Sequence, residues 1–105
     1  MEHTQNSEEL NFTFEGELDN YAIMKCKVEC IECIEKIKPK KVRLDFAKVT
    51  FVDSTGIGFV LARYKQCQKI GCELVIANLS KNNRALFAMS GIFRLINEER
   101  DEGIS

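Results

Sequence analysis

The most concentrated chemistry in the chain lies at residues 53–58, which read DSTGIG after the apolar pair Phe51 and Val52. An acid, two hydroxyls and two glycines so close together are typical of a helix start, a nucleophile, a phosphate-binding loop or a phosphorylation site. Each of these sites also needs residues elsewhere, and those residues separate the alternatives.

The motifs of serine hydrolases and nucleotide-binding loops are incomplete here. A nucleophilic serine needs G-x-S-x-G and a histidine base, but Val52 replaces the first glycine and the single histidine is His3 in the polar N-terminal segment. A dinucleotide-binding loop needs a third glycine where this chain has Leu61, and the P-loop pattern is absent. We therefore expect no catalytic residues and a protein that is not an enzyme.

Ser54 is predicted to lie at the N-terminus of a helix, where free N–H groups and the helix dipole stabilise an anion. A phosphate on Ser54 would be tolerated there and would add roughly −1.5 to −2 charge beside Asp53. Gly56 and Gly58 would let another protein approach the backbone closely. From the residues alone, a simple helix cap by Asp53 or Ser54 is an equally good interpretation.

The cysteines raise the question of a metal or redox site. Cys30 and Cys33 form a CxxC pair, but no second pair follows and a zinc site would lack its fourth ligand. Cys26, Cys30 and Cys33 also share one helical face, where cysteine packs as a small hydrophobe. Core packing of reduced thiols is favoured, with no metal and no cofactor expected, and a thiol-redox protein is the alternative.

Composition and charge narrow the possible partners. The chain is 45% hydrophobic and 30% charged with a formal net charge of −1, which argues against nucleic-acid binding through a basic footprint. The basic run at residues 35–43 is predicted to be a solvated helix end and loop. No segment approaches the ~20 apolar residues of a membrane span. The polar N-terminus does not resemble a signal peptide, so we expect a cytoplasmic protein without a membrane partner.

The hydrophobic pattern alternates between the periods of strands and helices. Pro39, Gly71 and Gly91 are expected to end the three helices, and Ser80 to cap the third. The first ten residues are too polar to predict a strand convincingly, and the charged tail after Ile96 is expected to fray. The predicted strands span residues 10–14, 42–46, 74–77 and 92–96, and the predicted helices span residues 21–38, 55–69 and 81–89.

The sequence predicts which residues of the second and third helices face the core. In the third helix, Phe87 lies off the face formed by Leu86 and Met89, so it is either exposed to a partner or a rim contact of the core. In the second helix, an apolar stripe is predicted from Ile57, Val60, Leu61, Tyr64 and Cys67.

The order of strands and helices predicts parallel strands joined by right-handed crossovers. If the strands lie in sequence order, every crossover places its helix on the same face of the sheet. The alternation at residues 10–14 and 42–46 agrees, because a sheet buried on both faces needs near-continuous apolar strands. The sequence predicts a single α/β domain with a mostly parallel sheet of four to five strands and helices mainly on one face.

Four segments of the chain together resemble the motifs of a known family. The chain resembles the bacterial anti-sigma factor antagonists, which are single STAS domains (sulfate transporter and anti-sigma factor antagonist). The resemblance implies a STAS-type fold for residues 1–105, with a core at about residues 10–97. It rests on GELD at residues 16–19, DSTGIG at residues 53–58, RYKQ at residues 63–66 followed by Gly71, and LFAMSGIF at residues 86–93.

The resemblance implies a phosphorylation switch. The unphosphorylated protein would bind a cytoplasmic anti-sigma factor that is also a GHKL-type serine kinase, and so release the sigma factor. The kinase would phosphorylate Ser54, with Thr55 the weaker candidate, and a PP2C-type phosphatase would reverse the reaction. The implied partner-binding residues are Asp19, Asp53, Ser54, Thr55, Gly56, Ile57 and Gly58. The alternative is a STAS scaffold or transporter-accessory module that binds a non-kinase partner.

Overall fold

The fold alternates strands and helices along the chain, as expected for an α/β protein. The computed structural model describes residues 1–6 and 8–100. Within them, the strands are β1 (Glu2–Gln5), β2 (Glu9–Leu18), β3 (Lys41–Val52), β4 (Glu73–Ala77) and β5 (Asn97–Glu99), and the helices are α1 (Asn20–Ile37), α2 (Ser54–Lys69) and α3 (Lys81–Ser90). The five strands form one sheet in the order β1-β2-β3-β4-β5. β1 is antiparallel to β2, and the remaining neighbours are parallel.

The helices pack on one face of the sheet, which confirms the predicted arrangement. In β2, Leu10, Phe12 and Phe14 are buried, whereas the intervening Asn11 and Thr13 are only half-buried. The buried residues of the strands join those of α1, α2 and α3 in one hydrophobic cluster. One face of the sequentially ordered sheet is therefore covered by the helices, and the opposite face carries polar side chains such as Asn11 and Thr13.

Phe87 is fully buried, so the exposed alternative for this residue is wrong. Its ring packs edge-to-face on Phe46, with centroids 5.6 Å apart and planes at 77°. Asn83, one turn earlier, is also buried and donates from Nδ2 to the carbonyl of Val49 at 3.3 Å. The polar Asn83 hides the true inner face of α3 from the hydrophobic pattern, and Met89 is instead 85% exposed.

The N-terminal segment forms an edge strand, which its polar sequence did not predict convincingly. β1 pairs with β2 in a register that runs from Glu2 opposite Thr13 to Gln5 opposite Leu10. Every residue of β1 is exposed, so the strand depends on main-chain hydrogen bonds to the edge of β2. Side-chain hydrophobicity carries no signal for such an edge strand.

The predicted strand at residues 92–96 is also wrong. Gly91 ends α3 with φ +81°, and residues Ile92–Arg94 form a 3-10 turn. Ile92 and Ile96 are both buried, and the Ile96 N–H donates to the Ile92 carbonyl at 3.0 Å. Their spacing of four residues fits a helical turn. The strand follows at β5, inside the segment that was expected to fray, while residues 101–105 of that segment lie outside the described residues.

Ion pairs attach β5 to β3 and to α3. Glu99 contacts Lys41 and lies 3.3 Å from Arg43, both at the start of β3. These two cations belong to the basic run that was expected to be a solvated helix end and loop, and both are half-buried. Glu98 accepts hydrogen bonds from Arg84 of α3, at 2.9 Å and 2.7 Å. Charge pairing therefore holds a strand that has no apolar pattern.

The ion pair between Glu98 and Arg84 predicts that the stability of the fold decreases in acid. The hydrogen bonds from Arg84 lower the pKa of Glu98 below its ordinary value of 4.5. Because the folded-state pKa is depressed, this pair stabilises the fold above pH 4.5 and the contribution is lost as the pH falls further. We expect Glu98→Gln to lower stability at neutral pH and to weaken the pH dependence of urea unfolding in acid. Glu15→Gln, at an exposed position of β2, is the control; equal pH profiles for Glu98→Gln and the unmodified protein would contradict this prediction.

Candidate functional site

Two helices begin side by side at the carboxyl edge of the sheet. Leu18 and Val52 are the last residues of β2 and β3, and they are partners in the parallel register. Asp19 and Asp53 follow directly and adopt almost the same extended conformation, with φ −104° and ψ −175° at one and φ −102° and ψ −174° at the other. The strand register thus places the two acids of the GELD and DSTGIG segments at neighbouring helix starts.

Each acid caps the helix that follows it. Asp19 Oδ1 accepts from the Ala22 N–H at 3.0 Å, and Asp53 Oδ1 accepts from the Gly56 N–H at 3.1 Å. The open choice between Asp53 and Ser54 as the cap of α2 is therefore resolved for Asp53. Ser54 is the first residue of α2, and its side chain lies outside that capping bond.

The two hydroxyl residues differ in exposure. Ser54 is exposed, whereas Thr55 is half-buried and faces a groove between α1 and α2. A modifying enzyme needs an accessible hydroxyl, so the geometry favours Ser54 over Thr55 as an acceptor. At the first position of a helix, Ser54 also lies close to the unpaired N–H groups that stabilise an added anion.

The two glycines have different structural roles. A Cβ on Gly56 would lie 2.6 Å from Val52 Cγ1 and 2.9 Å from the Leu18 carbonyl oxygen, so a side chain has no room there. A Cβ on Gly58 would meet nothing within 4 Å, and this residue is exposed. Of the two glycines, Gly58 is thus the one whose backbone a partner could approach closely. Gly56 is buried against the chain's own strand ends, and Ile57 beside it is also buried.

The structure therefore divides the implied partner-binding residues into two layers. Gly56 and Ile57 form a buried layer that supports the start of α2. The residues that reach the surface at the two helix starts are Asp19, Asp53, Ser54, Thr55 and Gly58.

The buried face of α2 contains two residues that the sequence analysis missed. Phe59 and Arg63 are 4% and 6% exposed, and they face α1. Their spacing with Cys67, four residues at each step, is the signal that could have identified this face. Leu61 and Tyr64 of the predicted stripe are only half-buried. The predicted face of α2 was based on apolar residues alone, and such a pattern does not identify a buried arginine.

The thiols belong to the core and its margin. Cys26 and Cys30 are buried and Cys33 is half-buried, and all three are free. Burial raises the pKa of the Cys30 thiol to about 12, and it also raises the pKa of Cys67. Protonated, buried thiols are poor nucleophiles, which argues against redox work by the CxxC pair.

The described residues contain neither a cluster of potential metal ligands nor a membrane-spanning helix. Among residues 1–6 and 8–100, no three or more His, Cys, Asp or Glu side chains are grouped so that they could hold a metal ion. None of the helices formed by these same residues combines the length and apolar character needed to cross a bilayer.

Comparison with known proteins identifies the family. A model of the STAS domain matches residues 1–103. The anti-sigma F factor antagonist of Paenibacillus polymyxa is 28% identical over 81 residues, which are 77% of this chain and 69% of the relative. The anti-sigma-B factor antagonist of Listeria monocytogenes is 28% identical over 99 residues, which are 94% of this chain and 86% of the relative.

Solved structures share the fold. The anti-sigma factor antagonist SpoIIAA in its unphosphorylated form superposes with a TM-score of 0.83 at 22% identity, covering 96% of this chain and 89% of SpoIIAA. A sulfate transporter family protein from Wolinella succinogenes superposes with a TM-score of 0.73 at 18% identity, covering 88% of this chain and 77% of that protein. The chain belongs to the STAS domain family, and the anti-sigma factor antagonists that it resembles are among its relatives.

Proposed function

We propose that this protein is an anti-sigma factor antagonist whose binding is switched off by phosphorylation of Ser54. The names of its relatives support the general role. The main support for the proposed switch is the exposed position of Ser54, which is the first residue of α2 and directly follows the capping Asp53. In this proposal the protein binds an anti-sigma factor when unphosphorylated and releases it when phosphorylated.

The electrostatics of the two helix starts explain how such a switch would act. The first turn of α2 stabilises a phosphate through the helix dipole and free N–H groups, so the modified protein stays folded. The same phosphate adds roughly −1.5 to −2 charge beside Asp53 and next to the helix start that Asp19 caps. A partner surface that accommodates two carboxylates would then face about twice the negative charge.

The other parts of the proposal follow from the resemblance. The kinase is the anti-sigma factor itself, with a GHKL-type fold, and a PP2C-type phosphatase restores the binding form. This protein has no catalytic role of its own and works in the cytoplasm as a single domain. The partner contacts the surface formed by Asp19, Asp53, Ser54, Thr55 and Gly58, while Gly56 and Ile57 support it from below.

Phosphate incorporation tests the acceptor. The protein is incubated with ATP and the purified anti-sigma factor kinase of its source genome, and the modified residue is mapped by mass spectrometry. We expect one phosphate on Ser54, no incorporation into Ser54→Ala, and normal incorporation into Thr55→Ala, because Thr55 is half-buried. Incorporation that survives Ser54→Ala would overturn this assignment. Constitutive binding of a non-kinase partner would favour the scaffold or transporter-accessory role.

A further inference from the structure

A groove between α1 and α2 opens next to the two helix starts. Its volume is about 310 Å³, and it extends from Asn20 and Thr55 along both helices. The apolar part of its lining comes from Ile23 and Met24 on α1 and from Phe59 and Ala62 on α2. The groove is therefore continuous with the surface that carries Ser54, but it runs toward the middle of the two helices.

Arg63 in this groove is buried without its usual hydrogen bonds. The residue is 6% exposed, and within the described part of the chain its Nε and Nη1 atoms have no hydrogen-bond partner. Its guanidinium lies 5.2 Å from the ring centroid of Phe59, and the titratable groups near it are the thiols of Cys26, Cys30 and Cys67. A buried guanidinium with unmade hydrogen bonds destabilises the fold, so this side chain calls for an external acceptor.

The position of Arg63 is fixed by the packing of the two helices. Gln66, one turn along α2, donates from Nε2 to the Ile31 carbonyl at 3.0 Å and to Glu35 Oε2 at 2.8 Å. These bonds hold α2 against α1 below the groove. The packing of α2 against α1 is therefore set by contacts that lie outside the groove lining.

The charge of the groove selects an anion. Lys27 adds a second cation to the lining, and none of the described residues that line the groove is acidic. A guanidinium recognises a carboxylate or a phosphate through paired hydrogen bonds, which are strongest where water is excluded. The groove therefore fits an anionic group that can reach Arg63.

An exposed apolar stripe borders the groove and indicates a protein ligand. Tyr21, Met24 and Val28 are 67%, 71% and 61% exposed, and their spacing of three and four residues places them on one side of α1. Met24 also lines the groove. A small free anion would satisfy Arg63 but leave this stripe in water, whereas an acidic side chain on an apolar segment would cover both.

We propose that this groove receives a carboxylate side chain from the anti-sigma factor, with Arg63 as its paired donor and the Tyr21–Met24–Val28 stripe against the apolar flank. The inference rests on the proposed function for the identity of the partner. Arg63 would attract a negative charge of the partner, whereas a phosphate on the nearby Ser54 would repel one. Binding would then depend on both features, one constant and one set by phosphorylation.

Arg63→Met tests the inference with two readouts. The methionine keeps apolar bulk but removes the charge, so we expect affinity for the purified anti-sigma factor to fall about thirtyfold or more. The thermal unfolding midpoint should stay equal or rise, because an unpaired buried charge is removed. A purely structural arginine would give the opposite result, a lower midpoint with unchanged affinity. Lys65→Met, at an exposed position of α2, is the matched control for loss of one positive charge.

A second variant covers the case in which Arg63→Met does not fold. Met24→Glu changes an exposed residue at the edge of the groove, and its acid would compete for Arg63 and repel the incoming carboxylate. We expect affinity to fall about tenfold or more, since like charges at an interface are costly. Unchanged affinity for a folded variant of this kind would overturn the proposed contact.

The outcomes separate this inference from the proposed function. Ser54 phosphorylation with full affinity in Arg63→Met would overturn the groove contact and leave the switch intact. Failure of the unmodified protein to bind the anti-sigma factor would overturn both. The Arg63 Nε–H signal of the isotopically labelled protein is expected to shift when the anti-sigma factor is added. A shift with inorganic phosphate alone, and none with the anti-sigma factor, would assign the groove to a small anion and contradict the protein ligand.

Discussion

Gly56→Ala is expected to destabilise the fold by about 2 kcal/mol, although alanine is the better helix former. The added Cβ would lie 2.6 Å from Val52 Cγ1 and 2.9 Å from the Leu18 carbonyl oxygen. Val52 is buried and β-branched, so its side chain cannot rotate away cheaply. Overpacking at the upper end of its usual range costs about 3 kcal/mol, and the gain in helix propensity returns about 1 kcal/mol.

Gly58→Ala is the matched control for this substitution. It makes the same chemical change in the same helix, but the new Cβ meets nothing within 4 Å. We expect stabilisation by about 0.5–1 kcal/mol from the reduced freedom of the unfolded chain and the better helix propensity. Urea unfolding of both variants measures the two free energies of unfolding. Effects of the same sign would contradict the distinction between the two glycines.

Ser54→Asp is expected to weaken binding to the anti-sigma factor by about 100-fold, because a third acid would stand beside Asp19 and Asp53 and face the partner. The fold should not suffer, since an acid in the first turn of a helix contributes about 0.3–1 kcal/mol. Loss of affinity with retained stability would separate the switch from a folding defect.

Ser54→Asn is the neutral control for the charge. Asparagine has nearly the shape of aspartate but no charge, so affinity should remain within a few-fold of the unmodified protein. Isothermal calorimetry gives both dissociation constants. An equal loss for Ser54→Asn and Ser54→Asp would mean that size, and not charge, controls binding at this position.

Local signals in the sequence were sufficient for most of the fold. Apolar periodicity located the helices and the three inner strands to within a few residues, apart from the longer ends of β2 and β3. Gly71 and Gly91 marked two helix ends and Ser80 a cap, as the structure shows. Those features depend on residues that are close in sequence, which is why pattern and capping rules capture them.

The features that the sequence predicted wrongly or left open depend on interactions that join distant parts of the chain. β1 depends on main-chain bonds to β2, and β5 depends on ion pairs such as Arg84 with Glu98. The position of Phe87 was left open between the surface and the rim of the core because the buried Asn83 broke the apolar pattern of α3. In each case the stabilising contact carries no periodic hydrophobic signal.

In the candidate site, too, features set by local sequence were predicted and features set by long-range packing were not. The placement of Asp53 and Ser54 at a helix start follows from local sequence. The difference between Gly56 and Gly58 does not, because it depends on how Gly56 packs against Val52 at the end of β3 and the Leu18 carbonyl at the end of β2. The burial of Arg63 could not be predicted either, since its environment comes from packing of α2 against α1.

The proposed switch requires that the phosphorylation state of Ser54 controls binding to the anti-sigma factor. This control is measured by calorimetric titration of the anti-sigma factor with the unmodified protein and with protein stoichiometrically phosphorylated on Ser54. We expect the unmodified protein to bind and the phosphorylated form to bind about 100-fold more weakly or not at all. Equal dissociation constants for the two forms would contradict the proposed switch.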